Sequence, residues 1–347
     1  MKDNRVIGII YAYAAAIFYA LNVPCSKLLL DEVPPTFLAS FLYLGAGIGV
    51  GLMYLLYYPK EASEVRLKKG DEVYTVLMIL LDILAPILLM IGVKLGTASN
   101  ASLLGNFEIV ATTLIAFLLF KERVSNRLWC AILLVILSSS ILSFEGTESF
   151  SFSIGSVFVL GATICWGLEN NCTRRIADRS TYQIVTIKGL CSGMGSFIVA
   201  ILLRESLPQV KYILISMVLG YIAYGLSIFT YIRAQKELGA SRTSAYYAIA
   251  PFVGVALSTI FLHEKLSIAF IVALFIMILG TILIVYDSLI HKHHHVHIHV
   301  FTHMHDGNVH THIVQHDHSH KHLLSEDNHS HTHSIEELEK ELHHSGV

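Results

Sequence analysis

Ten stretches of roughly 20 mostly apolar residues follow one another along this chain, and the connections between them are too short to hold a soluble domain. Their limits are 6–29, 35–57, 73–94, 97–119, 126–144, 154–175, 181–203, 212–233, 243–262 and 267–287. At a rise of about 1.5 Å per residue, some 20 residues cross the hydrocarbon core of a bilayer. Inside that core each backbone polar group must find its partner within the segment, so such stretches fold as helices. The expected fold is therefore an all-α, polytopic membrane protein with ten transmembrane spans. Composition agrees: charged residues are 14% of the chain, against about 25% in a soluble protein. That excludes an ordinary soluble enzyme. The net charge of −2 gives no basic stripe for nucleic acid. The first stretch lacks an A-x-A cleavage site and reads as a retained span.

Lysine and arginine placement sets the orientation. With the N-terminus inside, the inner segments hold fifteen of these residues and the outer segments five. Both termini are then cytoplasmic, in a multi-pass protein of the plasma membrane. The five cysteines (Cys25, Cys130, Cys165, Cys172, Cys191) fall in apolar segments without a CxxC pair, which reads as buried free thiols.

The chain also repeats itself. Gly8 to Lys27 aligns with Gly155 to Arg174 at an offset of 147, which pairs Tyr19 with Trp166, Asn22 with Glu169 and Cys25 with Cys172. Leu119 to Ser125 aligns with Phe261 to Ser267 at an offset of 142. Two halves of five spans follow. Five is odd, so the second half is inverted relative to the first, as in many secondary transporters. The domains are then 6–144, 154–287 and a tail, 291–347.

On these residues the membrane body, about 6–287, resembles the EamA-type members of the drug/metabolite transporter superfamily. The resemblance rests on the two five-span halves and on Glu122 and Glu264 in matching motifs at the ends of spans 4 and 9. Pro251 in span 9 and Trp166 in span 6 add to it. It implies a transporter of a small organic solute, and a cation in spans 2 and 7. Span 7 has Lys188, whereas span 2 has Phe41; likewise Ile109 stands where span 9 has Pro251.

Ionisable groups inside a bilayer are costly and are functional candidates by default. Asp82 lies near the middle of span 3 with Pro86 one turn on, a residue expected to loosen the helix there. Glu108, flanked by Gly105 and Thr112, is expected to point into the bundle. Glu169 and Asn170 follow Trp166 in span 6; an ion pair of Glu169 with Arg174 or Arg175 competes with a cavity-lining role. Asn22, the repeat mate of Glu169, precedes Pro24. The two would face one another across a midplane cavity built from proline-broken helices. Lys188, about 10 Å into span 7, is expected to snorkel to the cytoplasmic surface; pairing with Asp82 or Glu108 is the alternative. Glycines of span 2 (Gly45, Gly47, Gly49, Gly51) and span 7 (Gly189, Gly193) favour close helix packing.

Of the 20 histidines, all but His263 lie at or beyond His291. His-x-His pairs mark His293, His295, His297, His299, His303, His305, His310, His312, His316, His318, His320 and His322, and recur at His329, His331 and His333. In an extended chain residues i and i+2 share a face, and neutral imidazole suits zinc, nickel or cobalt. The tail is expected to be disordered and to bind divalent metal. Ser334 and Glu337 form a capping box for a short helix over 335–344.

No nucleotide-binding motif or catalytic signature is present, so the expected function is that of a secondary transporter rather than an enzyme. It would work by alternating access on a small organic metabolite. The alternative is a divalent metal-ion transporter with the tail as buffer or sensor. The expected partners are the bilayer, the solute and a coupling ion such as the proton, with no nucleic acid; pairing of two copies is a further expectation. No cofactor is required beyond metal on the tail.

Overall fold

The computed structural model describes residues 2–57, 66–121, 124–144, 153–176, 179–238, 240–305 and 308–323. Hydropathy dictates helices, and fourteen α-helices form among the described residues. They are α1 (Lys2–Ala20), α2 (Asn22–Leu29), α3 (Pro35–Tyr57), α4 (Glu72–Leu95), α5 (Ala98–Leu104), α6 (Phe107–Phe120) and α7 (Asn126–Ser143). There follow α8 (Ile154–Thr173), α9 (Thr181–Leu202), α10 (Val210–Gly220), α11 (Ser227–Leu238), α12 (Ala240–Tyr247), α13 (Ala250–Leu262) and α14 (Ile268–Leu289).

Among the described residues, nine stretches are long and apolar enough to cross a membrane. The tenth expected span is α8, a 20-residue helix whose mean hydropathy is lowered by Glu169, Asn170 and Asn171 near its end. Four spans are interrupted at depth. Pro24 cannot donate to the Ala20 carbonyl, and α1 gives way to α2 at Leu21. Gly105 and Asn106 separate α5 from α6, Ala248 and Ile249 separate α12 from α13, and Pro251 sits in the first turn of α13. A π-helical segment, Tyr221–Leu226, joins α10 to α11. Pro86, by contrast, lies inside an unbroken α4. The loosening expected there does not break the helix.

The helices bury small residues at their closest contacts together with large ones such as Phe37, Leu38 and Met90, while Leu56, Leu202, Val210 and Ile268 are exposed, as lipid-facing side chains are. α3 packs along α9, α4 along α8, and α1 along α11. The α3–α9 approach requires glycine. A Cβ on Gly47 would lie 2.5 Å from the Leu190 nitrogen, and one on Gly189 an equal distance from the Gly47 nitrogen. Of the five cysteines, all free, only Cys172 is buried; Cys130 and Cys191 are exposed, which corrects the expectation of buried thiols. Their helix faces look outward to lipid rather than into the core.

Helix ends that carry unsatisfied backbone groups are held by charges of the opposite sense. Glu264, just past α13, accepts from Ala98 N at 2.7 Å and Ser99 N at 2.8 Å, at the start of α5. Lys27 donates to the carbonyls of Val93 and Gly96 at 2.7 Å, at the end of α4. Glu205 accepts from Thr36 N and Phe37 N at the start of α3. Charge-assisted hydrogen bonds contribute about 1.5–3 kcal/mol. Glu264→Ala is therefore expected to lower the thermal midpoint in detergent by an amount worth about 1–3 kcal/mol; an unchanged midpoint would mean the clasp contributes nothing. Asp71 makes a related clasp ahead of α4, accepting from Lys68 N and, at 2.9 Å, from Arg179 Nε. The Lys68 backbone bond first, then Arg179, holds its carboxyl below the usual carboxylate value. The stabilisation it gives is complete above that usual value and is lost as pH falls through the lowered one.

Residues from Tyr286 onward form a second unit. Over its described residues, 290–305 and 308–323, the expectation of a disordered tail is corrected. Strands β1 (Ile290–His305) and β2 (Asn308–Leu323) pair antiparallel, from Ile290↔Leu323 to His305↔Asn308. The physical reason is legible: two runs alternate with period two and carry β-branched Val296, Ile298, Val300, Val309 and Ile313. Between them in sequence stands Asp306-Gly307, a pair that two-residue hairpin connections favour. Glu122, His329, His331, His333 and the expected helix over 335–344 lie outside the described residues.

Candidate functional site

The bundle buries an ion network at its centre. Asp82 sits on α4, about 15 Å from its start by helical rise, and is fully buried. Lys188, on α9, places Nζ 2.9 Å from Asp82 Oδ2 and 3.0 Å from Glu169 Oε1 on α8. One lysine thus ties three helices through two buried carboxylates. This settles two of the open readings: Lys188 turns inward to Asp82 rather than out to the surface, and Glu169 pairs with Lys188 rather than with Arg174 or Arg175. The cause is desolvation. Two buried carboxylates within reach of one ammonium group are far cheaper paired than apart.

The other carboxylate oxygen of Asp82 is also held. Tyr43 on α3 donates its hydroxyl to Asp82 Oδ1 at 3.0 Å, and Trp166 Nε1 donates to that hydroxyl oxygen at 3.4 Å. Thr173 donates to Glu169 Oε1. Beside them Asn170 donates to Glu108 Oε1 at 2.7 Å and to Thr112 at 3.3 Å, which joins α8 to α6. Glu108 points into the bundle as expected.

Each helix interruption delivers a polar group to this region. The α1–α2 break brings buried Asn22 to donate to the Tyr224 hydroxyl at 2.8 Å, and Tyr224 belongs to the π-helical segment. π-helical turns recur at functional sites. The Tyr224 ring packs 5.3 Å from that of Tyr43 and 6.1 Å from that of Tyr19. Tyr19 also meets Tyr247 of α12, at 5.9 Å. Asn22 is linked to the ion network through Tyr224, whose ring packs on that of Tyr43, the donor to Asp82. The result is a buried centre with three carboxylates, one ammonium group and a wall of tyrosines, contributed by both halves of the chain.

The EamA-like transporter family matches twice, over residues 6–144 and 153–286. The chain belongs to the EamA-like transporter family. It is thus a multi-pass membrane transporter. An uncharacterized transporter of Methanothermobacter thermautotrophicus is 25% identical over 306 residues, 82% of this chain and 88% of that one. Uncharacterized transporter YvbV of Bacillus subtilis is 23% identical, over 77% and 88% of the two chains. YyaM of the same organism is 24% identical over 60% and 71%. A solved crystal structure shares the fold with a TM-score of 0.59 at 17% identity, over 81% of this chain and 97% of that one.

In this EamA-like chain, Asp82, Glu169, Trp166, Glu108 and Asn170 come together, with Asn22 reached through Tyr224. Sequence reasoning passed over Tyr43, Tyr224 and Tyr247. Buried tyrosine hydroxyls need partners, but sixteen tyrosines give that signal no selectivity. Glu264 lies away from the centre, on its clasp at α5. Among residues whose side chains are described, no group of three His, Cys, Asp or Glu is arranged to hold a metal ion. The twelve tail histidines singled out by their spacing lie on strands β1 and β2.

Proposed function

We propose that this chain is a secondary transporter of a small organic metabolite in the plasma membrane, working by alternating access with both termini cytoplasmic. The observation that carries this is the buried Asp82–Lys188–Glu169 network. Bundle stability does not require it, since buried ion pairs are weak stabilisers; a polar centre at midplane is what a solute path requires. Its carboxylates outnumber its cation. The excess negative charge is what a coupling proton or a cationic group of the solute would neutralise. The tyrosine wall suits an organic solute with an apolar or ring portion.

Two inverted five-helix halves would supply the rocking motion. Reciprocal packing supports them: the third span of the first half (α4) lies on the first span of the second (α8), and α1 lies on α11 in the converse relation. The second spans, α3 and α9, meet at glycines, a smooth contact for relative movement. The histidine tail is read as a divalent-metal binding appendage, separate from the solute path. Reconstitution in liposomes tests the assignment. Uptake of one class from a panel of amino acids, nucleobases and organic amines is expected to saturate with concentration and to be unchanged in a chain ending at Ile290. Zinc uptake that disappears with the tail, and no saturable organic flux, would contradict it.

A further inference from the structure

Two helix interruptions meet at one point, and α13 passes that point with a glycine. Pro24 has no N–H to give, so the Ala20 carbonyl at the end of α1 loses its helical donor. At the end of α5 the Asn106 N–H turns to the Leu103 carbonyl at 3.2 Å, away from the Ser102 carbonyl that an unbroken helix would use. A Cβ built on Gly254 would lie 3.0 Å from Ser102 Oγ and 3.6 Å from the Ala20 oxygen. The glycine therefore leaves a methyl-sized space bordered by a hydroxyl and a freed carbonyl. Ser102 is 7% exposed and Asn106 4% exposed. Among the described residues, neither Ser102 Oγ nor Asn106 Nδ2 has a hydrogen-bond partner. Gly105 and Asn106 keep right-handed helical dihedrals, so Ser102 and Asn106, four apart, share a face with Cβ atoms about 5–6 Å apart. Each buried polar atom left so costs about 1–3 kcal/mol, a cost that a bound ligand would remove.

We propose that this space seats a monovalent cation, sodium, which couples to movement of the solute. The Ala20 carbonyl oxygen, Ser102 Oγ and the Asn106 amide oxygen are its ligands. Asn106 presents that oxygen when its amide is turned over, an exchange that keeps its shape. All three are neutral oxygens, which suits a single positive charge; calcium and magnesium sites recruit carboxylates. The methyl-sized space favours sodium over the larger potassium ion. Helix C-termini carry partial negative charge, and α1 and α5 both end here. Unwound helix ends of this kind coordinate coupling ions in membrane transporters. Asp82, Glu108 and Glu169 against Lys188 make the adjoining centre negative. Coupling to the solute rests on the reading of the chain as a secondary transporter; binding of the ion does not.

The test is binding of sodium-22 to the full-length chain in detergent, with potassium holding the ionic strength constant. Native protein, Ser102→Ala and Gly254→Ala are compared. The first variant removes a ligand oxygen; the second puts a methyl group in the space, 3.0 Å from Ser102 Oγ. The expected result is one saturable sodium ion in the native chain and at least about tenfold weaker binding in each variant. Thermal midpoints separate the ion from the fold. Ser102→Ala deletes an unpartnered hydroxyl, so without sodium its midpoint should equal or exceed the native one. Sodium should then raise the native midpoint and leave that of Ser102→Ala where it was. No saturable sodium in the native chain, or equal binding by Ser102→Ala and native protein, would overturn the seat. Native solute uptake in liposomes that is equally fast in potassium would overturn the coupling. Sodium held at the seat by a chain with no saturable solute flux would support the seat and contradict the transporter reading alone.

Discussion

Replacing Lys188 with methionine is expected to abolish solute flux, by at least about 100-fold, and to lower the thermal midpoint sharply. Lys188 neutralises Asp82 and Glu169 at 2.9 and 3.0 Å, and its loss leaves two buried carboxylates facing one another without a cation. Removing one partner of a buried pair costs about 3–5 kcal/mol. The variant alone would not separate folding from transport. Lys188→Met combined with Asp82→Asn and Glu169→Gln removes the uncompensated charge, so the midpoint should recover while flux stays lost. Flux in detergent-purified, reconstituted protein and unfolding followed by tryptophan fluorescence read the two effects. Native flux in Lys188→Met would show that the network is structural only.

The second large effect is steric. In Gly189→Leu the new Cβ would lie 2.5 Å from Gly47 N and 2.9 Å from the Tyr43 carbonyl. Both neighbours are backbone, so α3 and α9 must part. Overpacking costs about 1–3 kcal/mol and occasionally more. Tyr43 and Lys188 ride on these two helices, so parting them also pulls the hydroxyl and the ammonium group away from Asp82. A lower midpoint and lost flux are expected together. Gly161→Ala is the control, since its Cβ would meet only the end of the Leu88 side chain at 3.4 Å; it should behave as native. A native midpoint in Gly189→Leu would mean the close approach of α3 and α9 is dispensable.

Hydropathy alone placed the spans, because the bilayer leaves the backbone no alternative to helix. It also placed Asp82 and Glu108 at depth. What a linear reading lacks is partner identity. Lys188 lies about 10 Å into its helix, a depth compatible with snorkelling or pairing, and only the packing of α4 against both α8 and α9 decides for pairing. Proline was an uneven guide: Pro24 and Pro251 stand at interruptions, whereas Pro86 costs α4 one hydrogen bond within a continuous helix. The π-helical turn at Tyr221–Leu226 has no proline at all. The hairpin was legible in principle. Period-two alternation on both sides of Asp306-Gly307 is a strand–turn–strand signal, but the spacing within each run does not show that the two runs pair.

Counterflow in proteoliposomes reaches the central claim most directly. Vesicles loaded with unlabelled solute from the class identified by uptake should accumulate labelled solute transiently when they contain the native chain. Those containing Asp82→Asn should accumulate at least tenfold less, compared at equal amounts of folded, reconstituted protein. Equal accumulation by the two would contradict a transport role for the Asp82–Lys188–Glu169 centre.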